Sequence, residues 1–196
     1  MANKKLISVV AVLLLASLCL FADNGSVSFK LFHSVNSIDE HGFLFYDPSK
    51  DAEISTADLT KTSATSDIQF ARLMVMYNKK FTTGIRLSFT PLVASAANAD
   101  GTYDCLPYEV WSFSRSNDKI LGTKLKTTSA SVSEANKDKA FGSIDVFSTS
   151  SMLTLTPAVS GAPELREIAM MYITLDMDNA AAATYAGTIQ ATFTSN

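Results

Sequence analysis

Disulfides are the first thing this sequence does without. It holds two cysteines, Cys19 and Cys105, and Cys19 lies in an apolar leader. Once that leader is cut only Cys105 remains. No internal bridge can then form, and an apolar core has to hold the fold. Histidine is as scarce. His33 and His41 are the whole supply, and neither has a partner at metal-ligand spacing. Basic residues are outnumbered too. Without Lys4 and Lys5, 14 basic side chains face 19 acidic ones, a net charge near −5 for residues 23–196. That balance argues against nucleic acid, which attracts basic patches, and against docking on an anionic lipid surface. Zinc spacings, phosphate loops and nucleophile elbows are missing. Serines are plentiful, but no base is positioned beside them. No catalytic, cofactor-binding or metal residue is assigned, and no cofactor. The sequence is read as that of a non-enzyme.

What is present starts with a charged and then greasy N-terminus. Lys4 and Lys5 precede a run from Leu6 to Phe21 that only Ser8 and Ser17 interrupt. The run falls short of the roughly 20 apolar residues that a membrane helix needs. A basic start, a short apolar core and a small residue at its end describe a bacterial secretory signal peptide over residues 1–22. Cleavage after Ala22 leaves Asp23 as the new N-terminus, and the exported chain is expected to be soluble in the periplasm, at the cell surface or outside. Lipidation at Cys19 is the competing reading, but Leu18 stands where such processing wants a small residue. A retained anchor is disfavoured because Asp23-Asn24-Gly25-Ser26 is polar and carries no cationic stop-transfer cluster. Asn24-Gly25-Ser26 also matches a glycosylation sequon, which is out of place behind a bacterial leader.

Residues 23–196 suffice for one domain with a real core. Apolar side chains recur there with a period of two, the mark of half-buried strands. Val27, Phe29 and Leu31 share one face. Gly42 to Tyr46 is a short aromatic run. Asp67 to Tyr77 is longer, and its phase slips between Phe70 and Leu73, as at a bulge. Ile85, Leu87 and Phe89 alternate with polar neighbours. Leu106, Tyr108 and Val110 follow, with Trp111 and Phe113 on the opposite face. Ile144 with Val146, and Leu153 with Leu155, mark brief strands. Ile168 to Leu175 is nearly all apolar, as in a central strand covered on both sides. Tyr185 to Phe193 closes the chain. About nine strands at short spacing predict an antiparallel sandwich or barrel. Helix is expected only where Ser131-Val132-Ser133-Glu134 begins like a capping box. Ile54 to Ser66 reads as a polar loop, and Ser116 to Thr128 as a hairpin around Asp118-Lys119. Gly84 and Gly187 stand alone in strand patterns, which suggests bulges or close backbone approach. No period of 20–50 residues repeats.

Each chemistry-bearing cluster has a plainer reading. His33 and His41 with Asp39 and Glu40 could gather a divalent ion, but solvated or hydrogen-bonded histidines are preferred. Asn98-Ala99-Asp100-Gly101-Thr102-Tyr103-Asp104 sets oxygen side chains around a glycine as calcium loops do; a plain turn is preferred. Asp176-Met177-Asp178-Asn179 begins like a calcium loop and then lacks its glycine and glutamate, so it reads as the polar loop after a buried strand. Trp111, with Tyr108 and Phe113 nearby, would stack sugars if exposed and is core if buried. Core is preferred. Cys105 is read as a small buried strand residue rather than a reactive or intermolecular thiol.

The last segment, Thr184-Tyr185-Ala186-Gly187-Thr188-Ile189-Gln190-Ala191-Thr192-Phe193, resembles the final strand of exported bacterial immunoglobulin-like sandwiches, including pilin-like and spore-coat-U-like proteins. Leu106-Pro107-Tyr108-Glu109-Val110 is similar to an interior strand of such domains. The resemblance covers about a tenth of residues 23–196 and implies a fimbrial-like surface or appendage protein, with no functional residue carried over. Many such proteins hold a disulfide, which this chain cannot form. Strand donation between subunits would use Val27, Phe29 and Leu31; their service as the first strand of their own domain is preferred. The expectation is therefore an all-β, antiparallel immunoglobulin-like sandwich over residues 23–196, with a structural, adhesive or binding role at the cell envelope. Its partners would be other envelope or surface proteins or glycans, bound by loops on a rigid scaffold, and self-assembly is a further option. The alternatives are a small outer-membrane barrel, an envelope-polymer hydrolase and a small-ligand carrier with a cavity in a closed barrel.

Overall fold

The computed structural model describes residues 26–33, 41–59, 65–178, 180–181 and 183–194. The expected leader, cleavage after Ala22, lipidation of Cys19 and the sequon at Asn24 lie outside the described residues. So do Asp39, Glu40, Asn179 and the side chain of His33.

Period-two alternation builds strands and almost nothing else. They are β1 (Val27–His33), β2 (His41–Tyr46), β3 (Thr56–Asp58), β4 (Ile68–Tyr77), β5 (Phe81–Phe89), β6 (Leu92–Ala97) and β7 (Thr102–Leu106), then β8 (Tyr108–Ser114), β9 (Lys119–Lys126), β10 (Ser131–Ser133), β11 (Gly142–Phe147), β12 (Leu153–Leu155), β13 (Glu164–Leu175) and β14 (Tyr185–Thr194). One sheet runs β2-β4-β13-β8-β9. The other runs β10-β7-β6-β14-β1-β3, and β5 joins it through β14 and carries β11 and β12. The ladders are antiparallel except for β1 on β14, where Val27 faces Tyr185 and His33 faces Ala191 in parallel. β14 is shared on its other side. Its first residues pair with β6 and its later ones with β5. Pro91, which has no N–H for a ladder, falls at that changeover.

The two sheets face each other across one core. Phe29 of β1 meets Phe70 of β4 and Tyr108 of β8 across the gap, with ring centroids 5.9 and 5.4 Å apart. Phe43, Leu73, Ile85, Leu87, Phe89, Leu92 and Leu106 fill it with no or almost no exposure. Each such side chain is worth about 1.5–3 kcal/mol of burial. Tyr108 satisfies its hydroxyl there by donating to the Thr90 carbonyl at 2.7 Å. A Cβ on Gly187 would lie 2.9 Å from Phe29 Cε1 and 3.0 Å from the Pro91 carbonyl oxygen. Only glycine lets β14 pass so close to β1. Gly84 likewise sits against Thr194 and the Phe147 carbonyl.

Several expectations hold. β13 is the middle strand of its sheet. The phase slip in β4 is a register shift, where Met171 and Tyr172 face Ala71 and Gln69 and skip Phe70. β1 is an inner strand of this domain, between β14 and β3. Others are corrected. Fourteen strands are described, not nine. The stretch read as a loop from Ile54 to Ser66 holds β3, whose polar Thr56 and Asp58 hide a buried Ala57. β6 was not expected, because Leu92, Val93 and Ala94 are all buried and show no alternation. The segment from Leu106 to Val110 breaks at Pro107 into two strands of different sheets. The capping-box stretch forms β10 and one 3-10 turn, Glu134–Asn136, and Ser133 makes no side-chain cap. The sheets do not close into a barrel. The outer-membrane barrel and the carrier with a barrel cavity both fail on this point.

Candidate binding surfaces

The face of the five-stranded sheet turned away from the core is unusually apolar. Along β4 the core takes Leu73, Val75 and Tyr77, so Arg72, Met74 and Met76 point outward. Residues directly opposite on neighbouring strands share a face. Met74 faces Leu44, Met76 faces Leu165, Met170 faces Arg72 and Phe113, and Phe113 faces Ile120. Met76, Ile120 and Leu165 are 45%, 42% and 41% exposed, three of the five large apolar side chains exposed among the described residues. Tyr172 stacks on Trp111 at 5.8 Å, and Phe113 meets Tyr172 edge-on at 6.3 Å.

Charges brace this face. Glu167 lies 3.5 Å from Arg72 and 4.0 Å from Arg115. Lys124 reaches Glu109 at 3.4 Å and sits 4.1 Å over the Trp111 ring. Trp111 does face away from Tyr108 and Val110 as its strand position predicts, and it lies outside the shared core. The preferred reading, buried rather than exposed, holds, although the ring packs on the outer side of the sheet and not between the two sheets. It is still only 7% exposed, because Tyr172 and Lys124 cover it. That leaves too little ring for a sugar to stack.

A second surface is a slot of about 390 Å³ at the side of the sandwich. One wall is Thr56, Ala57, Asp58 and Leu59, and the other is Ile68, Gln69 and Phe70. Asp47, Pro48, Ser49 and Ile54 complete it. The 47–53 loop is held in place by Arg72, which donates to the carbonyls of Asp47 and Lys50 at 3.0 and 2.6 Å and to the Asp51 carboxylate at 2.9 Å. The Ser49 N–H and hydroxyl both donate to Asp47 Oδ1 at 2.8 Å and hold that carboxyl below its usual range. Gln69 Nε2 is buried and without a hydrogen-bond partner.

The residues singled out from sequence scatter. His41 stacks on Phe81 at 4.4 Å and meets Phe193 edge-on at 4.7 Å, so its ring serves packing. The Asn98–Asp104 stretch is a turn. Gly101 has φ +78°, Thr102 donates twice to Asp100, and Asn98 Nδ2 donates to Asp104 Oδ1 at 2.8 Å. Cys105 is buried on β7, and burial with the Asp104 charge pushes its thiol up to about 11. The loop from Asp176 to Asp178 follows the buried end of β13, as read. Buried polar side chains among the described residues are the hydroxyls of Thr83, Thr90, Ser112, Ser114 and Thr127. The slot leaves little trace in the sequence because β3 has a single buried residue between two polar ones. Its one sequence signal was the spacing of Ala57 and Leu59. No family model, curated protein or solved structure matches the chain.

Proposed function

We propose that this chain is an exported cell-envelope protein of the immunoglobulin-like, pilin-related kind. It binds another envelope protein through the outer face of its five-stranded sheet. The observation that carries the reading is that Met76, Leu165 and Ile120, all exposed, lie on one sheet face with the half-buried Tyr172 and Phe113 and the buried Met74 and Met170. Large apolar side chains exposed together on one face mark interaction sites. Aromatic residues, methionine and arginine are also the types enriched where proteins meet. A protein surface suits the face better than a glycan does, because Trp111 is covered. The basic start and apolar run at the N-terminus support export, and two facing sheets over one core support the sandwich class.

Two measurements test this. Fractionated source cells should hold a chain that begins at Asp23 in the envelope or medium. Intact chain in the cytosol would refute export. A photo-crosslinking amino acid at Met76, Ile120 or Leu165 should give one discrete adduct with the same partner protein. Thr154, exposed on β12 of the other sheet, should give none. Equal adducts at all four positions, or none at the three, would sink the docking face.

A further inference from the structure

Sulfur atoms on the outer face of the five-stranded sheet divide into covered and open ones. Met74 and Met170 are 8% and 5% exposed, whereas Met76 is 45% exposed. The Met170 thioether also accepts hydrogen bonds from Arg115 Nη2 at 3.1 Å and from the Tyr172 hydroxyl at 3.8 Å, so its lone pairs are engaged. Met74 lies between Leu44 of β2 and Glu167 of β13. Met76 has Leu165 on one side and Gly42 on the other. Gly42 offers no side chain, and a Cβ there would meet nothing within 4 Å. The sheet therefore leaves one flank of the Met76 thioether uncovered. Among the other described sulfurs, Met171 is fully buried and Met177, in the loop after β13, is 43% exposed. Cys105 is buried with its thiol pushed up to about 11, so it presents little reactive thiolate.

An open thioether is a target for peroxide. Its sulfur lone pair attacks one peroxide oxygen. An S–O bond forms as the O–O bond breaks, and sulfur gives up two electrons. The second oxygen leaves as water with both peroxide hydrogens. The product, a sulfoxide, turns an apolar side chain into a polar one and disrupts interfaces built on methionine. We propose that Met76 is a modification site that controls the docking face: hydrogen peroxide converts it to the sulfoxide, and the partner protein is released. The proposal rests on the reading of this face as a docking surface. Met76 is one of the three exposed apolar side chains on which that docking depends. A sulfoxide in its place has to be stripped of water when a partner covers it, which opposes binding. Met74 and Met170 stay reduced under their cover and keep the sheet intact. Sulfoxide reductases return the thioether, so the change is reversible.

The test treats the protein as recovered from cells with hydrogen peroxide and maps its sulfoxides by peptide mass spectrometry. Met76 and Met177 should oxidise several-fold faster than Met74, Met170 and Met171. The chain carrying a photo-crosslinking amino acid at Ile120 is oxidised in the same way, freed of peroxide with catalase and returned to the envelope fraction of the source cells. Its adduct with the partner should fall by about tenfold, and methionine sulfoxide reductases A and B should restore it. Met76→Leu should keep the adduct after peroxide, Met76→Gln should lower it without peroxide, and Met177→Leu should give no protection. The urea midpoint of the chain oxidised at Met76 should match that of the untreated one; a clear fall would assign the lost adduct to unfolding and sink the switch. Equal oxidation of Met74 and Met76, or an adduct that survives full oxidation of Met76, would overturn the proposal and leave the docking face standing. No adduct from the untreated chain would overturn the docking face itself, and the switch with it.

Discussion

The ring of Phe43 lies against that of Phe193 with centroids 3.8 Å apart and planes 21° off parallel. Phe43 belongs to the five-stranded sheet and Phe193 to the last strand of the larger one. Phe81 and His41 pack around the pair, and the Tyr77 hydroxyl, close by on β4, donates to Glu164 at 2.7 Å. One end of the sandwich is thereby clasped by rings from both sheets.

If the clasp carries stability, Phe43→Ala should cost about 3–5 kcal/mol, as removal of a fully buried ring does. Phe193→Ala should cost less, since that ring is half-buried. The double variant should reveal a coupling of about 0.5–1.5 kcal/mol. Urea denaturation of the four proteins reads it directly. Strict additivity would deny the contact any energetic role.

Gly187→Ala places a methyl against Phe29 and the Pro91 carbonyl, neither of which is a loose side-chain end. Overpacking of this kind costs about 1–3 kcal/mol. Hydrogen exchange should quicken first in β1, which must move to make room. The control is Gly42→Ala, where a Cβ meets nothing within 4 Å. Equal effects at the two glycines would mean that β14 does not need the close approach.

Cys105 predicts an alkaline weakness. Its thiol is raised from 9.0 to about 11 by burial first and by Asp104 second. The unfolded chain therefore loses this proton before the folded one does. The contribution to stability is full below pH 9 and disappears as the pH climbs towards 11. Tyr108 and Tyr185, also raised by burial, act the same way but from a higher starting point of 10.0. Denaturation midpoints measured between pH 8 and about 10 should fall for the parent and fall less for Cys105→Ser. A thiol reagent at pH 8 should modify the unfolded chain and spare the native one. Prompt native labelling would contradict the burial.

Most of the sandwich could be read from side-chain alternation, because one buried face per strand leaves a visible pattern. β14 shows it plainly: Tyr185, Gly187, Ile189 and Ala191 are buried, and Ala186 and Gln190 are exposed. The pattern fails where its cause does. β6 buries three successive residues, so nothing alternates. β3 offers only Ala57 between two polar neighbours. Which strands pair is set by contacts far apart in sequence, such as Val27 with Tyr185, and no local period encodes these. The binding surfaces were harder still to read. The outer apolar face gathers residues from Leu44 to Met170 that become neighbours only in the sheet. Trp111 was placed on the correct side of its strand, but its cover by Tyr172 and Lys124 depends on two other strands.

Because β1 and β14 run in the same direction, Val27 and Thr194 stand at opposite ends of their shared ladder. Tension applied at those two points acts along the strands and strains every rung together, whereas an antiparallel pair gripped at one end would open rung by rung. The lifetime of such a joint under load follows its rate of rupture rather than its equilibrium free energy. Pulled at those two points, the ladder would resist in shear.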